Sequence, residues 1–192
     1  MTSILKADTI QDSSGNNIIN ENSDTITIGA SGDTTNIVGT LQNNGAAVGG
    51  VNTPAFHVTL GSNQTLTNTT NTKVTFDTES YDSDGTFASN KFTPGVAGKY
   101  ILSACLMIDG DSNTTVSTSR LFFYKNGSSI QFIETSSAAN PGRIHAPSAS
   151  LLVDSDADDY FEVWCYISTS GSGQFVQGGT AGSYFCGYKL IT

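Results

Sequence analysis

The stretch Asp159-Tyr-Phe-Glu-Val-Trp-Cys-Tyr-Ile167 predicts a β-strand that is apolar on both faces. Successive side chains of a strand point to opposite sides of a sheet. One side carries Phe161, Val163, Cys165 and Ile167, and the other carries Tyr160, Trp164 and Tyr166, interrupted only by Glu162. A solvated antiparallel sheet should have one polar face. The aromatic second face therefore predicts a further partner surface, which fits the packing of subunits, where Tyr and Trp are enriched.

The chain after about residue 54 continues this pattern of strands and turns. Turns are marked by Asp109-Gly110 and Pro141-Gly142, and Lys125-Asn-Gly-Ser128 is the strongest hairpin signal in the chain. The predicted strands are Ala55–Leu60, Thr72–Phe76, Lys99–Ile108, Ser119–Lys125, Ile130–Ile133, Ser148–Val153, Asp159–Ile167 and Ser183–Ile191. Strands of this number and length indicate a sandwich or jelly roll.

The composition supports an all-β fold. Charged residues make up only 13% of the 192 residues, and Thr, Ser, Asn and Gly, which favour turns over helices, dominate the polar positions. A formal net charge of −9 with no basic cluster disfavours nucleic acid as a partner. No stretch approaches the ~20 apolar residues of a membrane helix. Met1-Thr-Ser-Ile-Leu-Lys6 lacks the hydrophobic core of a signal peptide.

Residues 1–53 differ from the rest, because their large apolar residues are Ile, Leu and Val, in short bursts between Gly- and Asn-rich turns. Thr25-Ile-Thr-Ile28 alternates as a half-buried strand should. So short a segment cannot bury enough apolar surface as a monomer to offset its chain entropy. Either it is disordered, or three copies wrap together and share an apolar axis. The β-type Ile bursts favour the second alternative, with Ile26, Ile28 and Ile37 in the trimer interface and a hinge over residues 46–54.

Residues 54–192 resemble the globular head of the C1q and tumour necrosis factor jelly-roll superfamily. The order Lys91-Phe-Thr-Pro94, Gly98-Lys-Tyr100, Phe122-Phe-Tyr-Lys-Asn-Gly127 and Phe185-Cys-Gly-Tyr-Lys-Leu190 is similar to that of the family. An insertion between Tyr81 and Phe92 departs from it. The resemblance implies a trimeric head used for recognition and not for catalysis. With the alternation of the late strands, it predicts a trimer interface containing Tyr160, Trp164, Tyr166, Tyr184 and Tyr188.

Leu5-Lys-Ala-Asp-Thr-Ile-Gln-Asp-Ser-Ser-Gly15 and Thr25-Ile-Thr-Ile-Gly29 resemble N-terminal parts of tail-fibre-like proteins of marine bacteriophages. The two resemblances predict a non-enzymatic, homotrimeric phage fibre or knob located in the virion and assembled in the host cytoplasm. Its stem, residues 1–53, would join other virion proteins, and its head would bind a host surface receptor, for which a glycan is one candidate. The alternatives are a purely structural virion component, such as a capsid decoration or a fibre adaptor, and a bacterial secreted adhesin.

The long polar loops around residues 109–118, 136–147 and 168–179 are the predicted receptor-contacting surfaces. The candidate contact residues in these loops are Asp111, Asn113, Asn140, Arg143, His145 and Gln174.

Little in the sequence points to a reaction. There are two His residues, His57 and His145, and three widely spaced Cys residues, which predict buried free thiols. A glycosidase would need two carboxylates facing one cleft, for which Glu134 and Glu162 are the candidates. No cofactor is predicted. Asp154, Asp156 and Asp158 have the alternating oxygen spacing of a calcium loop but lack the Glu at its twelfth position, so Ca²⁺ is only a weak candidate ligand.

Overall fold

The computed structural model describes residues 9–11, 13–15, 17–22, 25–29, 31–39, 41–44, 46–47, 52–111, 115–137, 142–179 and 182–191. Within these ranges the chain forms strands, turns and loops without a helix, which confirms the predicted all-β fold. Among the described residues there is accordingly no helix that is long and apolar enough to cross a membrane. Two compact units are present, Met1–Gly50 (the N-terminal unit) and Val51–Thr192 (the head). The assignment of the first to trimerisation and attachment stays a prediction.

The N-terminal unit contains a three-stranded antiparallel sheet in the order β1-β2-β3 and a small two-stranded sheet of β4 and β5. Its strands are β1 (Thr9–Gln11), β2 (Asn17–Asn22), β3 (Thr25–Ile28), β4 (Gln42–Asn43) and β5 (Ala46–Ala47). The predicted strand Thr25–Ile28 is confirmed as β3, but all four of its residues are exposed, so it is not half-buried within the single chain. Gly15, at φ +84°, lies in the connection between β1 and β2, where a left-handed backbone favours glycine.

The head is built from longer strands connected by turns. They are β6 (Ala55–Thr59), β7 (Gln64–Thr65), β8 (Thr72–Lys73), β9 (Thr78–Asp82), β10 (Phe87–Ala88), β11 (Lys91–Phe92), β12 (Gly98–Cys105), β13 (Ile108–Asp109), β14 (Val116–Lys125), β15 (Ser128–Ser136), β16 (Ile144–His145), β17 (Ser148–Ser155), β18 (Phe161–Thr169), β19 (Phe175–Val176) and β20 (Tyr184–Lys189). Each of the eight predicted strands overlaps an observed strand, and the insertion after Tyr81 forms the end of β9 together with β10 and β11.

Two large antiparallel sheets form a sandwich. The five-stranded sheet has the order β17-β12-β20-β6-β9, and the six-stranded sheet has the order β10-β11-β18-β14-β15, with β8 also paired to β18. A small sheet of order β16-β13-β19-β7 is formed by short strands. Each lies in a connection between longer strands: β7 between β6 and β8, β13 between β12 and β14, β16 between β15 and β17, and β19 between β18 and β20.

The core of the head lies between the two large sheets and is largely aromatic. Phe185 on β20 and Phe123 on β14 approach from opposite sheets, with ring centroids 6.2 Å apart. Phe56 stacks on Phe92 at 4.3 Å. Gly187 lets the backbone of β20 lie close to its neighbours, because an added Cβ would lie 2.8 Å from the carbonyl oxygen of Ile101. In β6, β12, β14, β18 and β20, the alternate residues that face this core are buried, and their packing holds the two sheets together.

The predicted Asn126-Gly127 hairpin is confirmed. It joins β14 to β15 through a two-residue loop in which both residues have positive φ, at 52° and 78°. This backbone matches the twist of the flanking strands, and Asn-Gly adopts it at low cost. The hairpin also contains a register shift next to Phe123, so that Phe122 pairs with Phe132.

Candidate interaction surfaces

The N-terminal unit presents a row of isoleucines on one face of its sheet. Ile10 pairs with Ile19, and Ile19 pairs with Ile28, so the three side chains lie side by side across β1, β2 and β3. All three are exposed, as is Ile26 on the same face of β3, at 68%. Among the side chains that the structure describes between positions 9 and 47, no apolar one is buried. The apolar face of this sheet is thus open to solvent in the single chain.

The outward side of the six-stranded sheet carries five aromatic rings on three adjacent strands. We call this set the outer aromatic face, and its members are Phe122 and Tyr124 on β14, Phe132 on β15, and Trp164 and Tyr166 on β18. Tyr124 stacks on Trp164 with centroids 4.9 Å apart, and Phe122 lies 5.6 Å from Phe132. Phe132 remains 56% exposed. The sequence alone predicted that a partner subunit covers the outward aromatic face of β18. Side chains of the neighbouring strands already cover part of that face.

Charged side chains surround the outer aromatic face in two ion pairs. Lys73 Nζ lies 2.7 Å from Glu162 Oε1, and the other oxygen of Glu162 accepts a hydrogen bond from Trp164 Nε1 at 3.0 Å. Arg120 Nε lies 2.5 Å from Glu134 Oε2. The Arg120 guanidinium also lies over the ring of Tyr166, 5.0 Å from its centroid. The aromatic side chains are thus held in place by a rim that carries two positive and two negative charges.

The outward side of the five-stranded sheet carries a second apolar row. Leu152 pairs with Ile101, Ile101 with Tyr188, and Tyr188 with Ala55, so that the row crosses β17, β12, β20 and β6. Leu152 is 61% exposed. Next to this row, His57 stacks on Tyr184 at 5.8 Å. Burial raises the pKa of Tyr184, with smaller contributions from the two nearby cysteines, so its hydroxyl stays protonated at neutral pH.

The tyrosines and tryptophan predicted for one trimer interface belong to different surfaces. Trp164 and Tyr166 face outward from the six-stranded sheet, whereas Tyr184 and Tyr188 face outward from the five-stranded sheet. Tyr160 lies just before β18, where Lys91 Nζ is 4.6 Å from its ring centroid. Because β18 and β20 join opposite layers of the sandwich, these side chains do not form one continuous surface, and their place in a trimer interface stays a prediction. Sequence reasoning also missed Phe122, Tyr124 and Phe132, although the alternation of Arg120-Leu-Phe-Phe-Tyr124 contained a signal for the first two.

Parts of the predicted receptor loops form the small four-stranded sheet. Arg143 donates two hydrogen bonds to the buried carboxylate of Asp109, from Nε at 2.7 Å and from Nη2 at 2.8 Å. These bonds and the charge of Asp109 raise the pKa of Arg143 further above its usual value. Asp111 follows β13, and its amide donates to Asp109. Arg143 and Asp111 are at the surface and remain candidates for receptor contact.

Two of the predicted contact residues are buried. His145 is 6% exposed and Gln174 is 4% exposed, because both lie on or beside strands of the small sheet and point inward. These two predictions are wrong for the conformation described. Asn113 and Asn140 lie outside the described residues.

His145 occupies a polar pocket in the interior. Its Nδ1 lies 3.0 Å from Ser119 Oγ, and its Nε2 lies 2.9 Å from Ser137 Oγ. Burial lowers the pKa of His145, and a hydrogen bond that its ring donates to the Thr135 backbone opposes this in part. The Ser119 side chain is fully buried, so this Ser–His contact is closed to a substrate and serves packing.

The remaining reactive groups are dispersed. Burial raises the pKa of the Cys165 thiol to about 12, and burial also raises the pKa of Cys105 and Cys186. All three cysteines are free, as predicted, but full burial is confirmed only for Cys165, because Cys105 and Cys186 are partly exposed. Glu134 and Glu162 both point outward from the six-stranded sheet. However, they pair with residues of β14 that are four positions apart, about 13 Å along the strand.

The calcium candidates are placed at the end of β17. Asp154 is ion-paired with Lys99, at 2.6 Å, and Asp156 and Lys125 line the same open cavity of about 370 Å³. Asp159, beside these residues, has its pKa lowered, first by its hydrogen bond from Lys125 and also by bonds from the Asp156 amide and Asn126. Within the described residues, no group of three or more His, Cys, Asp or Glu side chains is arranged to hold a metal ion. Calcium binding stays a prediction.

Several solved structures have a fold similar to that of the head. No protein-family model and no curated protein sequence matches the chain. Murine APRIL at pH 8.0 is similar with a TM-score of 0.54 and 11% identity over 71% of this chain and 98% of that chain. Eiger TNF from S. frugiperda is similar with a TM-score of 0.50 and 12% identity, over 71% of this chain and 92% of that chain. The globular domain of zebrafish complement 1qA is similar with a TM-score of 0.50 and 16% identity, over 72% of this chain and 98% of that chain. Identities this low establish the fold alone. The chain contains a jelly-roll sandwich of the C1q and tumour necrosis factor type.

Proposed function

We propose that this protein is a non-enzymatic, homotrimeric recognition protein that binds a cell-surface receptor through its head, as part of a bacteriophage fibre or knob. The observation that carries the proposal is the open row Ile10–Ile19–Ile28, in a unit where none of the apolar side chains that the structure describes is buried. Such a sheet gains stability only when another apolar surface covers it.

Further copies of the same chain are the simplest cover for the isoleucine row. An uncharged aliphatic row is self-complementary, and three copies can turn their rows towards one axis so that each is covered by the other two. The row crosses all three strands of the sheet, and Ile26 extends it along β3. Ile37 is also exposed and joins the same proposed interface, although it lies outside the sheet.

The heads offer a second contact between copies. Leu152–Ile101–Tyr188–Ala55 on the five-stranded sheet is an apolar face, and Ile130 and Ile133 are exposed along the edge strand β15. A face and an edge differ in shape, so their contact is heterologous, and three such contacts can close a ring. Trimerisation would also multiply the avidity of weak receptor sites without tighter single contacts.

The proposed location of this protein in a virion rests on the resemblance of its N-terminal segments to phage tail-fibre-like proteins. In this proposal the N-terminal unit attaches to other virion proteins and the protein is assembled in the host cytoplasm. The surface near Arg143 and Asp111 and the outward face of the six-stranded sheet are the parts of the head that this trimer leaves open to a receptor. A role as an adaptor between larger virion proteins would use the same surfaces for proteins and not for a cell.

Sedimentation of the full-length protein tests self-association. The expected mass is three times the 20.1 kDa of the chain at micromolar concentration. Ile19→Asn introduces a polar amide in the middle of the row and should reduce the trimer to smaller species. Thr27→Asn is the matched control, because Thr27 faces the opposite side of the same sheet, and it should leave the mass unchanged. A monomeric wild-type protein with an intact N-terminal unit would refute the proposal.

Binding to cells separates the receptor role from the structural one. Fluorescently labelled full-length protein is expected to bind some strains in a panel of bacteria isolated from seawater and to compete with itself unlabelled. Electron cryomicroscopy of the native particle should place the head at its periphery. A position at an internal joint, with both sheet faces covered by other proteins, would support the adaptor alternative instead.

A further inference from the structure

We infer that the outer aromatic face is a binding platform for an uncharged hexose glycan of the cell envelope. The inference rests on the proposed recognition function and names the receptor chemistry. It is carried by the combination of exposed rings with a rim of ion-paired side chains on one flat sheet surface.

The rings supply the apolar part of the platform. Phe132 is exposed, and Tyr124, Trp164 and Tyr166 are half-buried, so each offers part of its ring to solvent. A pyranose ring has C–H groups on its faces and hydroxyl groups around its edge, so its faces pack on aromatic rings while its edge stays polar. The rings extend along four residue positions of β14 and β18, about 13 Å, which is more than one sugar ring needs. The surface therefore fits a chain of sugars better than a single monosaccharide.

The rim supplies hydrogen bonds in both directions. Glu162 and Glu134 accept, and Lys73 and Arg120 donate, at two separate places beside the rings. Arg120 uses Nε for Glu134, and a guanidinium has four further N–H donors. A hydroxyl group donates one bond and accepts others, so adjacent carboxylate and cationic groups match it well. Because each charge is already held by its counter-charge, the side chains are ordered before a ligand arrives, which reduces the entropy cost of binding.

The charge balance selects an uncharged ligand. The two ion pairs give the rim no net charge, so a cationic partner finds no excess of carboxylates there. The whole chain carries a net charge of −9, so an anionic polysaccharide or nucleic acid is repelled. A neutral, hydroxyl-rich ligand meets neither obstacle.

The geometry of the sandwich keeps the β14 and β18 part of this platform clear of the proposed contact between heads, whereas Phe132 lies on β15, the edge strand that takes part in that contact. The row Leu152–Ile101–Tyr188–Ala55 faces outward from the five-stranded sheet, and the outer aromatic face points the opposite way from the other layer. A copy of the chain packed on the first surface leaves the rings of β14 and β18 uncovered.

Trp164 provides a direct readout, because it is the only tryptophan in the chain and its indole N–H is bonded to Glu162. The full-length protein is titrated with maltohexaose, cellohexaose and mannohexaose while the tryptophan emission is recorded, with heparin as the charged comparator. At least one neutral oligosaccharide is expected to shift the emission in a saturable way, and heparin is not.

Three variants locate the binding by calorimetry with the oligosaccharide that shifts the emission. Trp164→Ala should weaken the affinity for the oligosaccharide by at least tenfold. Phe132→Ala should weaken it several-fold. Phe132→Ala keeps the test valid if Trp164→Ala fails to fold, since Phe132 is exposed on an edge strand. Tyr81→Ala is the matched control, an exposed aromatic on a strand of the other sheet, and should bind as the wild type does.

Absence of any emission change up to millimolar oligosaccharide, or an equal loss in Tyr81→Ala and Phe132→Ala, would overturn the inference. If labelled protein still binds cells and Phe132→Ala binds them equally well, the recognition function stands and the platform is excluded. If neither cells nor sugars are bound, both fail. Cell binding that is abolished by protease treatment of the cells and insensitive to the sugars would assign the receptor to a protein.

Discussion

The N-terminal unit and the head have the same secondary structure but opposite burial. In the head, Phe56, Phe123 and Phe161 are fully buried between two sheets. In the N-terminal unit, Ile26 and Ile28 lie on a single sheet with their side chains exposed, and Val38 is 95% exposed. Both regions are rich in β-branched residues and turns. The difference shows that a β pattern is enough to predict strands, whereas a stable fold needs a second layer, which the head supplies itself and which the N-terminal unit, in the proposed trimer, would take from other copies.

The largest expected effect comes from the core of the head. Phe185→Ala removes a ring in contact with four other rings, those of Phe56, Phe76, Phe87 and Phe123. We expect a loss of about 3–5 kcal/mol in the free energy of unfolding, because the cavity spans both sheets. Urea denaturation followed by tryptophan emission measures it.

The same kind of truncation in the N-terminal unit sharpens the comparison. Ile28→Ala should leave the urea midpoint of the head unchanged and weaken only self-association in sedimentation, since Ile28 contacts no core of its own chain. A head destabilised to a similar extent by both variants would show that the two regions fold as one, contrary to the comparison.

A smaller effect is expected at Gly187. Ala at this position would place its Cβ 2.8 Å from the Ile101 carbonyl oxygen and 2.6 Å from Leu102 Cδ2, so the central strands must separate. Overpacking of this kind costs about 1–3 kcal/mol, measured by the same urea titration. Gly142→Ala is the control, because its Cβ would meet only the Ile144 carbonyl oxygen, at 3.9 Å. Equal stability of the two variants would mean that β12 and β20 are less tightly apposed.

The pH dependence of stability should also differ between the regions. Burial lowers the pKa of His145 in the folded head below its ordinary value of 6.5. Between these two pKa values the unfolded chain binds more protons, so the stability of the head falls as the pH decreases from about 7 towards 5. The pKa values of Asp159 and Asp82 are also lowered in the folded head. They change the stability of the head only at more acidic pH, below the ordinary carboxyl pKa of 3.8.

Thermal melts between pH 7.5 and 5 test this prediction. His145→Gln should flatten the dependence of the melting temperature of the head on pH. Self-association through the N-terminal unit should show no step in the same window, because residues 1–50 contain no histidine. An unchanged slope in His145→Gln would contradict the assignment.

The smallest effect is expected at an exposed ion pair. Lys99 and Asp154 lie 2.6 Å apart, with their side chains 52% and 80% accessible. Lys99→Ala should change the stability of the head by less than about 1 kcal/mol, because exposed pairs are screened by water and salt. The urea midpoint measures this change at low and at high salt, and a large loss would indicate that Lys99 has a further role at the cavity it lines.

Much of the secondary structure could be predicted because it is encoded locally. The Asn126-Gly127 turn, the alternation of Thr25–Ile28 and the apolar face of Phe161–Ile167 each depend on neighbouring residues. The surface sites were predicted less well. His145 and Gln174 lie in polar, Gly- and Ser-rich stretches that predict loops, yet pairing between distant strands buries them. Pairing partners more than 30 residues away leave no local signal.

The sequence by itself determined that this chain is all-β, that its late strands are apolar on both faces and that its first fifty residues lack aromatic material for a core. Only the tertiary structure decided which surface each aromatic residue occupies. β18 and β20 enter different sheets, which separates Trp164 from Tyr184. One extra residue near Ile130 shifts the register of β15, so that Phe132 pairs with Phe122 on the outer side. A shift of one residue moves a side chain to the other face of a sheet, so this bulge decides which side of β15 carries Phe132.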